Sequence, residues 1–317
     1  MRIVFLGTGD FAVPALHAVC VAGHEVLAAI SQPDRPAGRG RAVVPTPVHA
    51  AADELHIRHV QTEDVNAPEL VETLRAGEIG VVAAFGQKIG PELLAAVSRG
   101  FVNIHGSLLP RYRGAAPFQW AVLNGETETG VTVFQLDQRW DTGPIWGRKT
   151  IAIGEAETAD ELHDRLAVAG AELIVPTLAQ IEAGTAEPQP QDASLACRAP
   201  KLSKADGRVD FAEPAARVVR RILGLWSWPS AACTFVSRTG RRERLQLARA
   251  RVADVDAAPD EQHRPGAFHA DGTVQTGAGR VALLEVKPAG GKLMPFAAFA
   301  NGRQVAPPDR LDPPEST

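Results

Sequence analysis

Three polar residues in the middle of the chain have the types and the spacing that acyl-transfer chemistry requires. Asn103 and His105 lie near the end of the otherwise apolar run Phe101–His105, which predicts a buried strand. Because side chains alternate across a strand, these two point to the same face. Asp141 follows another predicted strand, in an Asp-Thr-Gly turn. An amide, an imidazole and a carboxylate that converge at strand ends supply an oxyanion donor, an acid and a base.

Each of these residues also has a structural explanation when it is taken alone. Polar groups at a buried strand end need partners, and a hydrogen-bonded pair formed by Asn103 and His105 would satisfy that need. A single Asp beside a loop is usually a turn former. The loop that follows His105 contains Leu108, Leu109 and Pro110, which could wall a flat heterocycle, and this favours a site.

The elements that must position these residues alternate between strand and helix over residues 1–185. Apolar or alternating runs with the length of strands are separated by helical patterns, and lie at residues 3–6, 26–30, 81–85, 101–105 and 131–136. A long helix is predicted over residues 158–182. This order predicts an α/β, Rossmann-like domain with a parallel sheet covered on both faces. Ligands of such sheets bind beyond the carboxyl ends of the strands, where the polar residues are expected.

A glycine-rich turn after the first strand suggests a different ligand. The run Gly7–Ala12 fits the G-x-G-x-x-A form of a dinucleotide fingerprint, and Asp34 is the acidic residue further along. Asp34 lies in a loop rich in Pro and Gly instead of ending a strand, so nicotinamide binding is disfavoured. We interpret the run as a tight turn that packs a strand against a helix.

The composition changes after residue 187, where we place the first domain boundary. Residues 1–187 form the predicted catalytic domain, and residues 188–207, rich in Pro and Gln, form an extended linker. Residues 208–305 contain one amphipathic helix and several short, closely spaced strand candidates, which predict a small β-barrel. Residues 306–317 are rich in Pro and predict a flexible tail.

Composition excludes several other classes of protein. The apolar run before Gly7 is too short for a signal peptide, and no apolar run approaches the roughly 20 residues that cross a bilayer. Cys20, Cys197 and Cys233 are isolated, which predicts neither disulfides nor a zinc site. We therefore expect a reduced, cytoplasmic protein without a metal or a membrane attachment. We also expect a monomer, although composition does not determine the oligomeric state.

Charge is distributed unevenly between the two predicted domains. Residues 1–189 carry 14 Lys and Arg against 23 Asp and Glu, whereas residues 208–317 carry 16 against 12. A basic second domain suggests a polyanionic partner such as a nucleic acid. The ordinary surface of a small Arg-rich domain is the alternative, and charge alone does not decide between the two.

The same residues resemble those of a known family. The run Asn-Ile-His-Gly-Ser-Leu-Leu-Pro at residues 103–110, followed by Asp-Thr-Gly at residues 141–143, is similar to the signature of the folate-dependent formyltransferases. Residues 32–40 are similar to the insertion loop of the members that formylate a charged tRNA, and residues 202–204, Leu-Ser-Lys, match the same members. The resemblance spans almost the whole chain and implies that the C-terminal barrel is OB-like.

The resemblance implies a reaction and a set of site residues. The donor would be 10-formyltetrahydrofolate, and the acceptor the α-amino group of methionine on initiator Met-tRNA, without a metal. The catalytic residues would be Asn103, His105 and Asp141. The residues implied for folate contacts are Phe85, Gly86, Ser107, Leu108, Leu109, Pro110 and Asp137. Those implied for tRNA contacts are Arg35, Arg39, Arg41 and Lys204, although a merely solvated loop remains the alternative for the three arginines.

Three other functions compete with this one. A formyltransferase that acts on an amino sugar nucleotide would share Asn103, His105 and Asp141, but should lack the Arg-rich loop. A formyl-folate hydrolase would leave the basic domain unexplained. A tRNA-binding module with an inactive catalytic domain is disfavoured because the three polar residues are all present.

Overall fold

The computed structural model describes residues 1–37, 42–254 and 264–314, and the chain divides into two compact units. The first unit consists of Met1–Pro117, Thr129–Ala152 and His163–Pro200. The second consists of Phe118–Glu128, Ile153–Leu162 and Lys201–Thr317. The stretches Phe118–Glu128 and Ile153–Leu162 therefore belong with the C-terminal part of the chain, so the two units are not divided at a single position in the sequence.

A seven-stranded sheet forms the centre of the first unit. Its strands are β1 (Arg2–Gly7), β2 (Glu25–Ser31), β5 (His59–Gln61), β6 (Ile79–Ala83), β7 (Phe101–His105), β9 (Glu128–Gln135) and β10 (Ile145–Ala152). They lie in the order β10-β9-β7-β6-β1-β2-β5, and the five strands from β7 to β5 are parallel. The predicted α/β fold with a Rossmann-like sheet is confirmed.

Helices connect these strands, and four of them begin at a proline. They are α1 (Val13–Val21), α2 (Pro47–Glu54), α3 (Pro68–Arg75), α4 (Pro91–Ala96), α5 (Pro117–Asn124) and α6 (Ala159–Ala183). Proline at the first helical position has no N–H to leave unsatisfied, and its fixed φ suits a helix start. Helices α3 and α4 contribute Leu70, Leu74 and Leu93 to a core around Val4, Leu6 and Ile30, and these three strand residues are fully buried.

The turn after β1 is as tight as the sequence predicts. A Cβ at Gly7 would lie 2.8 Å from Cβ of Ala12 and 3.0 Å from the carbonyl oxygen of Ala83. The first contact is between the strand end and the short 3-10 helix Asp10–Ala12, which leads into α1. This close approach gives the glycine a packing role.

Asp141 and His105 lie close together as expected, but the reason given for it is wrong. They were expected to meet because both follow strands that end at one edge of the sheet. However, β9 runs antiparallel to β7, with Gln135 opposite Val102, so the carboxyl end of β9 lies beside the start of β7. The loop between β9 and β10 brings Asp141 to His105 instead.

Residues 186–200, which we call the strap, are more than an extended connection. Gln189 exchanges two backbone hydrogen bonds of 2.7 Å with Ile145. After the 3-10 helix Ala193–Leu195, strand β11 (Arg198–Ala199) runs parallel to β8 (Arg113–Gly114). The strap therefore adds backbone pairing to the segment that follows β7 and to the start of β10.

The second unit contains the predicted antiparallel barrel-like sheet. Its strands are β12 (Ala231–Val236), β13 (Arg242–Asp254), β14 (Val274–Gln275), β15 (Arg280–Pro288), β16 (Met294–Pro295) and β17 (Arg310–Asp312), with helices α7 (Ala215–Leu225) and α8 (Phe296–Arg303). The order is β14-β15-β13-β12-β17. The prediction of a flexible tail from residue 306 is wrong for β17, because its residues pair with β12.

The stretch Ile153–Leu162 is joined to the barrel by an arginine. Arg249 on β13 donates to the carbonyl oxygen of Ala156 at 2.6 Å and to Oε1 of Glu161 at 2.5 Å. The hydrogen bond from Arg249 is the main cause of the lowered pKa of the Glu161 carboxyl. This network ties the stretch Ile153–Leu162 to β13 within the second unit.

Helix α6 is long and apolar enough to cross a membrane by length and composition alone, although it contains no uninterrupted apolar run of about 20 residues. Leu166, Ile174 and Leu178 of this helix are fully buried within the protein. These residues belong to the face of the helix that packs in the core.

The β3–β4 pair interrupts the first unit after β2. Strand β3 (Arg35–Ala37) is antiparallel to β4 (Ala42–Val44), and Arg35 is opposite Val44. Arg39 and Arg41, two of the residues predicted to contact tRNA, lie outside the described residues.

Candidate active site

The imidazole of His105 is held at the carboxyl end of β7. It is buried, and its Nε2 lies 2.9 Å from the carbonyl oxygen of Tyr112. Because a carbonyl oxygen only accepts, Nε2 must carry the hydrogen of this contact. The ring of Phe134 packs edge-on against the imidazole, with 6.3 Å between centroids. A neutral His105 therefore presents an unprotonated Nδ1.

Asp141 faces that nitrogen. Its Oδ2 lies 4.0 Å from Nδ1 of His105, and accepts a hydrogen bond of 2.8 Å from the backbone N–H of Gly114. A distance of 4.0 Å is too long for a hydrogen bond, so the Tyr112 carbonyl, and not Asp141, fixes the orientation of the ring. The carboxylate is close enough to stabilise a positive charge on the imidazole.

Asn103 lies two residues before His105 and on the same face of β7. Its neighbours in the sheet are Val82 on β6 and Phe134 on β9. The side chain is half-buried, and within the described part of the chain its amide has no hydrogen-bond partner. The structure thus brings together an available amide, an imidazole with one free nitrogen and a carboxylate.

The loop after β7 is built by its own hydrogen bonds. The Ser107 hydroxyl is fully buried and donates to the carbonyl oxygen of Arg111 at 2.7 Å. Thr132 donates to the carbonyl oxygen of Ser107 at 2.6 Å and accepts from the N–H of Leu109 at 3.1 Å. The Ser107 side chain therefore maintains the loop.

The apolar residues of this loop divide into two groups. Leu109 and Pro110 are buried, and Leu109 packs with Phe134 and Ile145 in a small core cluster. Leu108 is half-buried, so part of its side chain is accessible. Of the three residues predicted to wall a heterocycle, Leu108 alone retains a side chain surface that is open to a ligand.

The loop after β6 lies at the same edge of the sheet, because β6 and β7 are neighbouring parallel strands. Phe85 is buried, and its carbonyl oxygen accepts hydrogen bonds from Gln32 and Thr8 at 2.8 and 3.3 Å. Gly86 is exposed and has φ +78°. The backbone at Gly86, more than the Phe85 side chain, is accessible at this position.

Asp137 shapes the loop that carries Asp141. Its carboxylate accepts from the N–H of Arg139 at 2.9 Å and from the Thr142 hydroxyl at 2.8 and 2.9 Å. Its role in the described structure is to close the turn, which is the ordinary use of Asp in a loop.

The cations predicted to contact tRNA are exposed where the structure describes them. Arg35, on β3, donates to Oε1 of Gln32 at 3.1 Å. Lys204 begins the 3-10 helix Lys204–Gly207 in the second unit and is exposed. Each leaves its charge accessible to a polyanion.

Asp34 ties together the two ends of the β3–β4 pair. Its Oδ1 accepts from the N–H of Thr46 at 2.9 Å, and its Oδ2 lies 3.0 Å from Nδ1 of His49. Burial, the largest single influence, raises the pKa of this carboxyl, but hydrogen bonds from Gln61, Thr46 and His49 outweigh it and lower the pKa. The carboxylate is thus hydrogen-bonded within its own loop. This agrees with the prediction that Asp34 is not the acidic residue of a dinucleotide site.

Sequence reasoning missed the residues that hold the three polar groups in place. They are Tyr112 through its carbonyl oxygen, Gly114 through its N–H, and Gln191 through its side chain amide. No residue type signals the first two, because every residue carries a backbone carbonyl and every residue except proline carries an N–H. Gln191 was visible only as one of several polar residues in a predicted linker. Among the described residues, no group of three or more His, Cys, Asp or Glu is placed to hold a metal ion.

Two protein-family models match the chain. One, described as formyl transferase, matches residues 1–178, and the other, described as formyl transferase, C-terminal domain, matches residues 201–304. Together they cover both sides of the strap.

Curated relatives match over nearly the full length. A methionyl-tRNA formyltransferase of Solibacter usitatus is 45% identical over 313 residues, which are 98% of this chain and 98% of the relative. A methionyl-tRNA formyltransferase of Heliobacterium modesticaldum is 42% identical, with coverage of 97% and 98%.

Solved structures share the fold at low identity. WlaRD, a sugar 3N-formyl transferase, has a TM-score of 0.64 at 16% identity, with 89% of this chain and 96% of that chain covered. HypX from Aquifex aeolicus, in complex with tetrahydrofolic acid, has a TM-score of 0.60 at 18% identity, with 100% of this chain and 51% of that chain covered.

Proposed function

The chain belongs to the formyl transferase family, and from that membership we propose how its residues carry out the reaction. The enzyme transfers the formyl group of 10-formyltetrahydrofolate to the α-amino group of the methionine on initiator Met-tRNA, which prepares the tRNA for translation initiation. The contact between His105 and Asp141 is the observation that supports the residue roles most directly.

His105 moves the proton. Its Nε2–H is engaged by the Tyr112 carbonyl, so Nδ1 is the nitrogen that accepts the proton lost by the attacking amine. Oδ2 of Asp141, 4.0 Å away, stabilises the resulting imidazolium. The imidazolium then returns the proton to the nitrogen that the formyl group leaves. One C–N bond forms and one breaks, and His105 ends each turnover in its starting state.

Asn103 stabilises the charge that develops during the transfer. An amine that attacks a formyl carbon places negative charge on the formyl oxygen. The side chain amide of Asn103 is half-buried and has no other partner among the described residues, so it can donate a hydrogen bond there. Such a donor is worth about 3–4 kcal/mol in the transition state.

The residues around the site suit a flat heterocycle attached to the formyl group. Leu108, in the loop after His105, is half-buried and presents apolar surface. Ala84 and Gly86, in the loop after β6, are exposed, so their backbone polar groups are accessible. Apolar walls with a few convergent polar groups are typical of cofactor sites. 10-Formyltetrahydrofolate supplies the activated one-carbon unit when it is bound there.

The assignment is tested with two variants and two alternative acceptors. Purified protein is incubated with 10-formyltetrahydrofolate and charged initiator tRNA, and formyl-methionine is measured. His105→Ala and Asp141→Asn should each lower kcat by about 100-fold or more, with KM for the folate changed by less than about twofold. Near-normal turnover in either variant would refute the role of that residue.

Parallel reactions separate the rival functions. Formylation of an amino sugar nucleotide, or release of formate without any acceptor, at the rate seen with charged tRNA would contradict the specificity for tRNA.

Arg35 and Lys204 are proposed to contact tRNA phosphates, each on its own unit. Both are exposed cations, and affinity that depends on such contacts falls steeply with salt. Replacing either by Ala should weaken tRNA binding and flatten the plot of log Kd against log salt concentration, with kcat unchanged. A plot that is already flat for the natural chain would count against tRNA as the acceptor.

We also propose that the enzyme acts as a monomer in the cytoplasm, where charged tRNA is formed. Light scattering during gel filtration tests the first point, since a monomer has the mass of 33.6 kDa. Cell fractionation tests the second.

A further inference from the structure

We infer that Gln191 is a positioning residue for the reaction, because its side chain amide joins the two loops that hold Asp141. Gln191 lies in the strap, 50 residues beyond Asp141 in the chain. The inference rests on the proposed role of Asp141 and adds a residue that determines where its carboxylate lies.

The amide of Gln191 uses all of its hydrogen-bonding capacity. Its Nε2 donates to the carbonyl oxygens of Asp141 and Gly143, at 3.1 and 2.7 Å. Its Oε1 accepts from Nε and Nη2 of Arg113, at 3.2 and 2.6 Å. Only one orientation of the amide is possible, since carbonyl oxygens require a donor and a guanidinium requires an acceptor.

These contacts reach both sides of the Asp141 carboxylate. On one side, Gln191 binds the backbone of residues 141 and 143, which carry the Asp-Thr-Gly turn. On the other side, it binds Arg113, whose neighbour Gly114 donates its N–H to Oδ2 of Asp141 at 2.8 Å. Gln191 thus fixes the distance between the carboxylate and the N–H group that binds it.

Asp141 needs such support because its backbone is strained. Its φ is +53°, a left-handed conformation that costs a residue other than Gly roughly 1–3 kcal/mol. The turn also has little room, since a Cβ at Gly143 would lie 1.8 Å from the carbonyl oxygen of Gln135. A strained conformation of this kind persists only where the surrounding structure holds it in place. The two hydrogen bonds from the Gln191 side chain to the carbonyls of residues 141 and 143 hold this turn.

The first experiment replaces Gln191 by Ala. The expected result is a kcat lower by about 10-fold to 100-fold, because a displacement of about 1 Å at a catalytic group has an effect of that size. KM for 10-formyltetrahydrofolate and for the charged tRNA should stay within about twofold. Gln189→Ala is the matched control, since among the described residues the Gln189 side chain donates only to the carbonyl oxygen of Glu187, at 3.4 Å, and its backbone pairing with Ile145 is kept.

A second variant, Gln191→Glu, distinguishes the contribution of the donating Nε2 from that of the accepting Oε1. Glutamate still accepts from Arg113, but it places a carboxylate oxygen against the two carbonyls and donates to neither. If the hydrogen bonds to residues 141 and 143 matter, this variant should lose as much kcat as Gln191→Ala. Full activity of Gln191→Glu would overturn the inference.

A double-mutant cycle with Asp141→Asn gives the readout that a merely structural role would not change. Once the carboxylate is gone, the added replacement Gln191→Ala should lower kcat by less than about twofold. An equal loss in both backgrounds would overturn the inference, because it would show a general effect on folding or binding. If Asp141→Asn loses activity but Gln191→Ala does not, Gln191 has no positioning role and the role of Asp141 stands. If Asp141→Asn itself keeps normal turnover, the role of Asp141 fails and the inference fails with it.

Discussion

The end of β7 and the strap contribute to the same site by different means. At the end of β7, Asn103 and His105 present functional side chains from a strand whose backbone is paired on both sides. The strap contributes mostly backbone groups: the carbonyl of Cys197 accepts from Arg113 at 2.9 Å, and that of Ala199 accepts from Ala116 at 3.2 Å. The chemistry of the reaction is therefore visible in residue types, whereas much of its geometry is set by groups that every residue carries.

The largest effect on kcat should come from replacing a functional side chain at the end of β7. Asn103→Ala removes the proposed donor to the formyl oxygen and should lower kcat by about 10²–10³-fold. Asn103→Asp keeps the shape but cannot donate when it is ionised, so it should be equally impaired. Steady-state rates measure both, and thermal unfolding checks that the fold is intact. An active Asn103→Asp variant would show that the amide is not an oxyanion donor.

A smaller but still large effect is expected where the strap approaches the loop after β7. A Cβ at Gly114 would lie 2.5 Å from the carbonyl oxygen of Ala199, and Gly114 has φ +128°. Gly114→Ala should therefore displace the N–H that binds Asp141, lower kcat by about 10-fold or more, and destabilise the fold by about 1–3 kcal/mol.

Gly240→Ala is the control for backbone strain alone. Gly240 also has a positive φ, +83°, but a Cβ there would meet nothing within 4 Å. This variant should lose some stability and keep its kcat. If Gly114→Ala behaves in the same way, the strap does not position Asp141.

A modest effect is expected at the thiol of the strap. The N–H of Tyr112 donates to Sγ of Cys197 at 3.1 Å, and the Tyr112 carbonyl holds His105. Cys197→Ala leaves that N–H without its acceptor, at a cost of about 1–3 kcal/mol in the free energy of unfolding, and should lower kcat about fivefold. Cys197→Ser should recover part of both losses, while Cys20→Ala, in α1, should leave kcat unchanged. Urea unfolding and steady-state rates measure these effects.

The smallest effect concerns the stability of the β3–β4 pair in acid. This pair, which Asp34 holds, belongs neither to the end of β7 nor to the strap. Hydrogen bonds lower the pKa of Asp34 below its value of 3.8 in an unfolded chain, despite the opposing influence of burial. The unfolded state therefore binds more protons in acid, so the stabilisation is present above about pH 4 and is lost as the pH falls through the folded pKa.

The natural chain should accordingly exceed Asp34→Asn in stability at pH 6, and the difference should shrink towards pH 3. Thermal unfolding over this range measures the difference. A constant difference across the range would mean that the Asp34 charge does not support the β3–β4 pair.

The sequence predicts the sheet, the barrel and the reaction, but not how the site is held. Apolar runs and alternation give the strands because burial requires apolar faces, and Asn103 and His105 stand out because polar groups rarely end a buried strand. The antiparallel direction of β9 was missed, since a strand has the same alternation in either direction. The carbonyl of Tyr112 and the N–H of Gly114 were missed because their positions depend on φ and ψ, and not on side chain type.

The strap shows why a boundary placed by composition was misleading. Its Pro and Gln residues are typical of a linker, and its backbone is extended on both sides of the 3-10 helix Ala193–Leu195. Extended backbone exposes donors and acceptors, however, and here Gln189 and Arg198–Ala199 pair with the first unit. The composition of a segment predicts its local backbone conformation, but it does not predict which other segments its backbone pairs with.

For protein engineering, the strap decides where this enzyme can be cut and recombined. A chimera that exchanges the chain from residue 188 onward would import a foreign strap, and with it foreign partners for the Asp-Thr-Gly turn. A junction after Pro200, where the first unit ends, keeps Gln191, Cys197 and Ala199 with the loops they hold. The catalytic unit therefore extends beyond residue 187, where its composition suggests that it ends. A transplanted acceptor-binding module should be attached after Pro200.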